Sequence, residues 1–91
     1  MEKTQYIIIY DVEIEEKLRN FSKPIREMIR KAIEKKLTVD PIAFGKPLRY
    51  SLKGYRRLRV GDYRVIYKII EEKIIVFIID VDHRKKIYED E

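Results

Sequence analysis

The chain has 91 residues, no cysteine, and a net charge of +5 with 41% charged residues. That length holds one domain, residues 1–91, and the cysteine count excludes a disulfide framework or a thiolate metal site, as suits a reducing compartment. The early apolar run Tyr6–Tyr10 is too short for a secretion signal and no stretch could span a bilayer, so a soluble, cytoplasmic protein with no membrane partner is expected.

Residues Lys3–Tyr10 are rich in β-branched and aromatic side chains and predict a buried strand. Asp11 can cap a first helix in which Ile14, Leu18 and Phe21 share one face while Glu13, Glu15, Glu16 and Lys17 face water. Ser22 offers a second N-cap, with Pro24 in the first turn, where its missing N–H does no harm. From there Ile25, Met28, Ile29, Ala32, Ile33 and Leu37 recur every three or four residues, the strongest helical signal in the chain. Asp40-Pro41 ends that helix, and Gly45-Lys46-Pro47 marks a loop.

The second half predicts three antiparallel strands, Gly54–Val60, Asp62–Ile70 and Lys73–Val81, separated at Gly61-Asp62 and at Glu71-Glu72. A two-residue turn with glycine first suits a tight hairpin. It would set Val60 opposite Tyr63, Arg59 opposite Arg64, Leu58 opposite Val65 and Arg57 opposite Ile66. One face then carries Leu58, Val60, Tyr63, Val65, Tyr67 and Ile69, which can cover the two helices. The other carries Tyr55, Arg57, Arg59, Arg64, Ile66 and Lys68. Tyr63 and Tyr67 therefore read as core aromatics, and Arg56, pointing away from Arg57, as solvated or packed along its stem.

Between Lys46 and Lys68 the basic residues Lys46, Arg49, Lys53, Arg56, Arg57, Arg59, Arg64 and Lys68 are opposed by Asp62 alone. This one hairpin region carries more positive charge than the whole chain, an electrostatic footprint for a polyanion. Like charges directly across a ladder are destabilising, so Arg59 against Arg64 costs stability unless an anion sits between them. The planar guanidinium fork suits bidentate contact with phosphate. Asp80, Asp82 and His83 at one strand end are weak evidence for a metal, and no cofactor is implied.

The run PLRYSLKGYRRLRVGDYRVIYKI, with VFIIDVDHRKKIY after it, resembles the RelE/ParE superfamily of toxin–antitoxin toxins. R-x-R-V-G-D-Y-R and the terminal H-R-x-x-x-Y are its specific signals; the N-terminal half agrees in pattern. The resemblance implies an α+β fold: a strand, two N-terminal helices, then three antiparallel strands, with the helices on one face of a four-stranded sheet ordered 1-4-3-2. It implies a ribosome-dependent endoribonuclease acting on mRNA and neutralised by a cognate antitoxin, or else an inhibitor of DNA gyrase, or a decayed relative that only binds RNA or its antitoxin. Arg64 corresponds to the family's phosphate-clamping arginine, and Arg57 and Arg59 to basic positions on the preceding strand. His83, Arg84 and Tyr88 correspond to a terminal cluster that supplies acid–base and base-stacking groups in several relatives. Arg64, His83, Tyr88 and Arg57 are thus the candidate catalytic residues, and Arg59, Arg84, Lys53, Lys68 and Tyr55 the candidate phosphate or RNA contacts. One lineage uses second-strand lysines as proton acceptors. The same-face residues here are Tyr55, Arg57 and Arg59, and arginine stays protonated, which moves proton transfer towards His83, with the acid and base roles of His83 and Tyr88 left open.

Overall fold

A computed structural model describes residues 5–87. The chain runs through β1 (Ile7–Tyr10), α1 (Val12–Arg19), α2 (Lys23–Ala32), a π-helical turn (Ile33–Leu37), β2 (Lys46–Pro47), a 3-10 turn (Tyr50–Leu52), β3 (Arg56–Val60), β4 (Tyr63–Ile70), a second 3-10 turn (Glu71–Lys73) and β5 (Ile75–His83). The sheet has five strands, not the four expected, in the order β1-β5-β4-β3-β2. The addition is β2, a two-residue strand in the stretch read as a loop, where Lys46 pairs with Arg57 and Pro47 with Arg56. Proline is tolerated there because β2 is an edge strand. β1 pairs parallel to β5, whereas the β2–β3, β3–β4 and β4–β5 pairs are antiparallel.

The helices cover one face. Ile14 and Leu18 of α1 and Ile29 of α2 are buried with Ile33 and Leu37 against Leu58, Val60, Val65, Tyr67, Val76, Ile78 and Val81. Asp11 caps α1 by accepting from the Glu13 amide at 2.9 Å. Ser22 stands at the α2 N-cap but makes no side-chain cap bond. The expected helix to Leu37 widens to π geometry over its last residues, and Ile33 and Leu37, four apart and so on one face, both reach zero exposure. Met28 corrects the expected apolar stripe: it is 38% exposed and lies beside the Gly61 turn.

β1 is an edge strand and not a buried one, with Ile7 60% exposed on the uncovered face. The β3–β4 hairpin has the register expected from the sequence, from Val60 opposite Tyr63 to Arg57 opposite Ile66, and Gly61 has the left-handed φ of 60° that its turn requires. The β4–β5 connection is longer than expected, a 3-10 turn and then Ile74 in the left-handed region. Arg56 is neither solvated nor merely packed along its stem. Its Nη2 donates to the Ile42 and Gly45 carbonyls at 2.6 and 3.0 Å, tying the loop before β2 to the sheet.

Tyr50 adopts φ 55° although it has a side chain, and it is 74% exposed. A left-handed tyrosine with so little packing stores backbone energy without return from burial. Tyr50→Gly is therefore expected to stabilise the fold by roughly 0.5–1 kcal/mol, after the extra freedom glycine gives the unfolded chain. Urea unfolding midpoints check this, and a midpoint equal to or below that of the parent counts against it.

Candidate phosphate-binding face

The face of the sheet opposite the helices is positioned by pairing. Arg59 faces Arg64, Arg64 faces Asp82 on its other side, and Arg57 faces Lys46 and Ile66, so Arg57, Arg59, Arg64 and Lys46 stand together. Arg57 and Arg64 are only 6% and 8% exposed, whereas Arg59 is open to solvent. Arg64 Nη1 donates to the Tyr63 carbonyl at 3.3 Å. Beside β3, a groove is lined by Lys36, Phe44, Lys46, Arg57, Leu58 and Arg59. It is open because β2 pairs only with Arg56 and Arg57, leaving the rest of β3 as an edge. Several guanidinium groups held close in a partly dehydrated setting attract anions more strongly than solvated lysines do, and the strands fix them before a ligand arrives.

The other candidate residues disperse. Lys68 and Tyr55 lie towards the opposite end of the same face, the Lys68 ammonium 6.0 Å from the Tyr55 ring centroid. Lys53 is exposed in the loop before β3. Arg84 is exposed near the arginine row, its amide donating to the Asp62 carbonyl at 2.7 Å and its Nε 3.8 Å from the Asp62 carboxylate. Tyr88 lies outside the described residues. His83 pairs with Tyr63, whose ring it meets edge-on at 5.5 Å, and Tyr63 in turn packs 5.5 Å from Phe21. The imidazole therefore stands on the helix side of the sheet, across the strand from Arg64. Its Nδ1 accepts from the Lys85 amide at 3.2 Å.

A β-bulge causes that separation. Up to Ile78 the even-numbered residues of β5 point into the core, but the ladder shifts between Ile66 and Tyr67, and beyond it Val81 is buried instead. The extra residue reverses the alternation. Asp82 is thereby delivered to the arginine face and His83 to the other.

Lys17 of α1, read from the sequence as a water-facing residue, is the participant that sequence reasoning missed. Its Nζ lies 2.9 Å from Asp80 Oδ1 and 2.8 Å from Asp82 Oδ2. Nothing in the local helical pattern signals this contact. Burial works against charge on Asp82, but the Lys17 ammonium, the His83 amide and Lys86 outweigh it and hold the carboxyl below its ordinary range. Burial likewise opposes the Lys17 charge, and Asp82 and Asp80 overcome it, raising the ammonium above the usual lysine value. Among the described residues no three His, Cys, Asp or Glu side chains form a metal-holding group.

Because the folded pKa of Asp82 is lowered, its stabilising contribution is fully present above the ordinary carboxylate range and is lost as pH falls through the folded value. Asp82→Asn is thus expected to destabilise the protein near neutrality, and the gap in urea midpoint between variant and parent should close as pH is taken below about 4. A gap independent of pH would show that the carboxylate charge is not what the contact uses.

Residues 8–88 match the family described as the ParE toxin of the type II toxin–antitoxin system parDE. The chain is 46% identical over 52 residues to Toxin RelG of Mycobacterium tuberculosis, a match covering 57% of this chain and 60% of that protein. It is 30% identical over 82 residues to the mRNA interferase toxin RelE of Escherichia coli K12, covering 89% of this chain and 85% of that one. The crystal structure of the toxin–antitoxin complex RelBE2 from Mycobacterium tuberculosis superposes with a TM-score of 0.84 at 30% identity, over 91% of this chain and 95% of the other.

Proposed function

The chain belongs to the RelE/ParE superfamily of type II toxin–antitoxin toxins, and from that premise we propose that it is an endoribonuclease that cuts mRNA on the ribosome. The observation that carries the reading is the row of Arg57, Arg59 and Arg64 on the sheet face opposite the helices, with two of its three arginines buried. The name of the Escherichia coli relative, an mRNA interferase, supports the same reading.

The reaction needs no bound metal: a ribose 2′-oxygen attacks the adjacent phosphorus while the bond to the 5′-oxygen breaks. Negative charge gathers on the phosphoryl oxygens, the 2′-OH gives up a proton, and the leaving 5′-oxygen takes one. Arg64, with Arg57 and Arg59, supplies the charge term through preorganised donors aimed at those oxygens. Arginine cannot act as the base. His83, the one histidine in the sequence, stands behind the strand from this row, so the arginines carry the larger part and His83 the smaller. Tyr88 is assigned stacking on a base, and Arg84, Lys53, Lys68 and Tyr55 contacts to flanking RNA. With so little acid–base equipment facing the phosphate, the ribosome must orient the substrate, since positioning can supply much of the acceleration.

A basic face of this kind also calls for a neutralising partner. We assign that role to a cognate antitoxin presenting acidic and apolar residues, in keeping with the RelBE2 complex among similar structures, and expect its binding to weaken with salt. No helix among the described residues is long and apolar enough to cross a membrane, and the substrate places the activity in the cytoplasm.

The test compares one message translated on purified ribosomes with the same message free in solution. Cleavage is expected with ribosomes and almost none without. Efficient cutting of free RNA overturns the ribosome requirement, and toxicity with intact mRNA and gyrase-dependent DNA breaks replaces the proposal with gyrase inhibition.

A further inference from the structure

We infer that Lys17 is a positioning residue for the phosphate site, holding the Asp82 carboxylate away from Arg64. The inference rests on the reading of the arginine row as that site. Asp82 is the direct cross-strand neighbour of Arg64. Side chains so paired start from Cβ atoms about 4.5–5.5 Å apart, within easy reach of a carboxylate–guanidinium fork, the strongest common form of charged hydrogen bond. Yet both Asp82 oxygens are committed elsewhere: Oδ2 lies 2.8 Å from Lys17 Nζ and Oδ1 accepts from the His83 amide at 2.7 Å. Asp80 is turned the same way, its Oδ1 within 2.9 Å of Lys17 and accepting from the Val81 amide at 2.8 Å.

The topology explains how a helix residue can do this. β1 pairs with β5 only as far as Ile78, and the chain then enters α1, which packs on β5. The last residues of β5 therefore have a side free of β1, and past that free edge Lys17 meets Asp80 and Asp82, which the bulge has set on the face opposite the helices. One ammonium serves two carboxylates at the point where the arginine row meets acidic residues. Without it, Asp82 is the cross-strand anion able to compete with a phosphate for Arg64. A residue that only fastened α1 to the sheet would have no such effect on anion binding.

The experiment uses inorganic phosphate as the probe, monitoring the backbone amide resonances of β3 and β4 by NMR, together with cleavage of ribosome-bound message, in folded Lys17→Met, Asp82→Asn and the double variant. Lys17→Met should weaken phosphate binding about fivefold, the scale of one partly exposed ion pair. Cleavage should fall in parallel. Adding Asp82→Asn to Lys17→Met should restore both, because the competing charge is gone. Lys17→Ala, which removes the ammonium while favouring the helix, carries the same test if the methionine variant does not fold. Phosphate binding that is unchanged by loss of Lys17, or that is not recovered on removing Asp82, overturns the inference. An Arg64→Ala protein separates this from failure of the site itself: if it binds phosphate as the parent does, the reading of the arginine row is wrong, whatever Lys17 does.

Discussion

Arg64→Ala is expected to lower single-turnover cleavage of ribosome-bound mRNA about 10²-fold or more, the scale of removing one preorganised charge-stabilising donor. Arg64 is the residue flanked on both sides, by Arg59 on β3 and Asp82 on β5, and its guanidinium is among the most buried of the row. A phosphate held there gains from donors already stripped of much of their water. Arg57→Ala and Arg59→Ala should each cost less, because the remaining pair still faces the phosphate. Arg64→Lys should fall between, retaining charge but losing the planar fork. His83→Gln should cost less than about tenfold, below the roughly 10²–10⁴-fold usual for direct proton transfer, because the bulge sets the imidazole on the Tyr63 side. Every variant should keep a cooperative unfolding transition, since none of these side chains lies in the apolar core. A folded Arg64→Ala protein cutting at the parental rate removes this face from the mechanism. A His83→Gln defect as large as that of Arg64→Ala returns the main role to proton transfer around the end of β5.

Gly45→Ala is expected to act in the opposite way, costing about 2 kcal/mol of stability and lowering the melting temperature by about 10 °C. A Cβ at this position would stand 1.8 Å from the Tyr67 hydroxyl, 2.8 Å from its ring and 2.9 Å from the Arg57 carbonyl. None of these can yield easily. Tyr67 is fully buried, its hydroxyl donates to the Pro41 carbonyl at 2.6 Å, and the Arg57 carbonyl belongs to β3. Because the Gly45 carbonyl also accepts from Arg56, the displaced loop would carry β3 and Arg57 with it. Calorimetry gives the stability change, and cleavage measured well below the new melting temperature shows how far the arginine row has moved. A melting temperature within a degree of the parent would mean that the loop before β2 is not packed on Tyr67 as described.

Much of the scaffold is set by local pattern. The three-and-four spacing from Ile25 to Leu37 makes a helix whose apolar side must be covered, and the alternation on either side of Gly61-Asp62, broken only by Ile66 and by the terminal Ile69-Ile70, favours the hairpin register that buries Leu58, Val60, Val65 and Tyr67 together. That register alone puts Arg57, Arg59 and Arg64 on one face. Other features were not legible. Lys46-Pro47 is too short and too polar to announce a strand, and Arg56 reaches carbonyls of Ile42 and Gly45 that no sequence spacing relates to it.

The helix faces, the β3–β4 hairpin and the clustering of arginines are readable in the chain because each depends on side-chain periodicity or on a turn between adjacent strands. That His83 and Arg64 part company, and that Lys17 meets Asp82, follows from how separate elements pair and pack in the tertiary structure. The β5 bulge changes which side every later residue faces, yet it arises from how β5 fits against β4 and leaves no mark in the alternation of Val76, Ile78 and Val81 that could be separated from a strand ending early. The Lys17 contact needs β1 to stop at Tyr10 and α1 to lie along the remainder of β5, an arrangement joining residues 63 and 65 positions apart. Periodicity reports which face of its own element a residue occupies; what that face meets is set by the packing of elements distant in the chain.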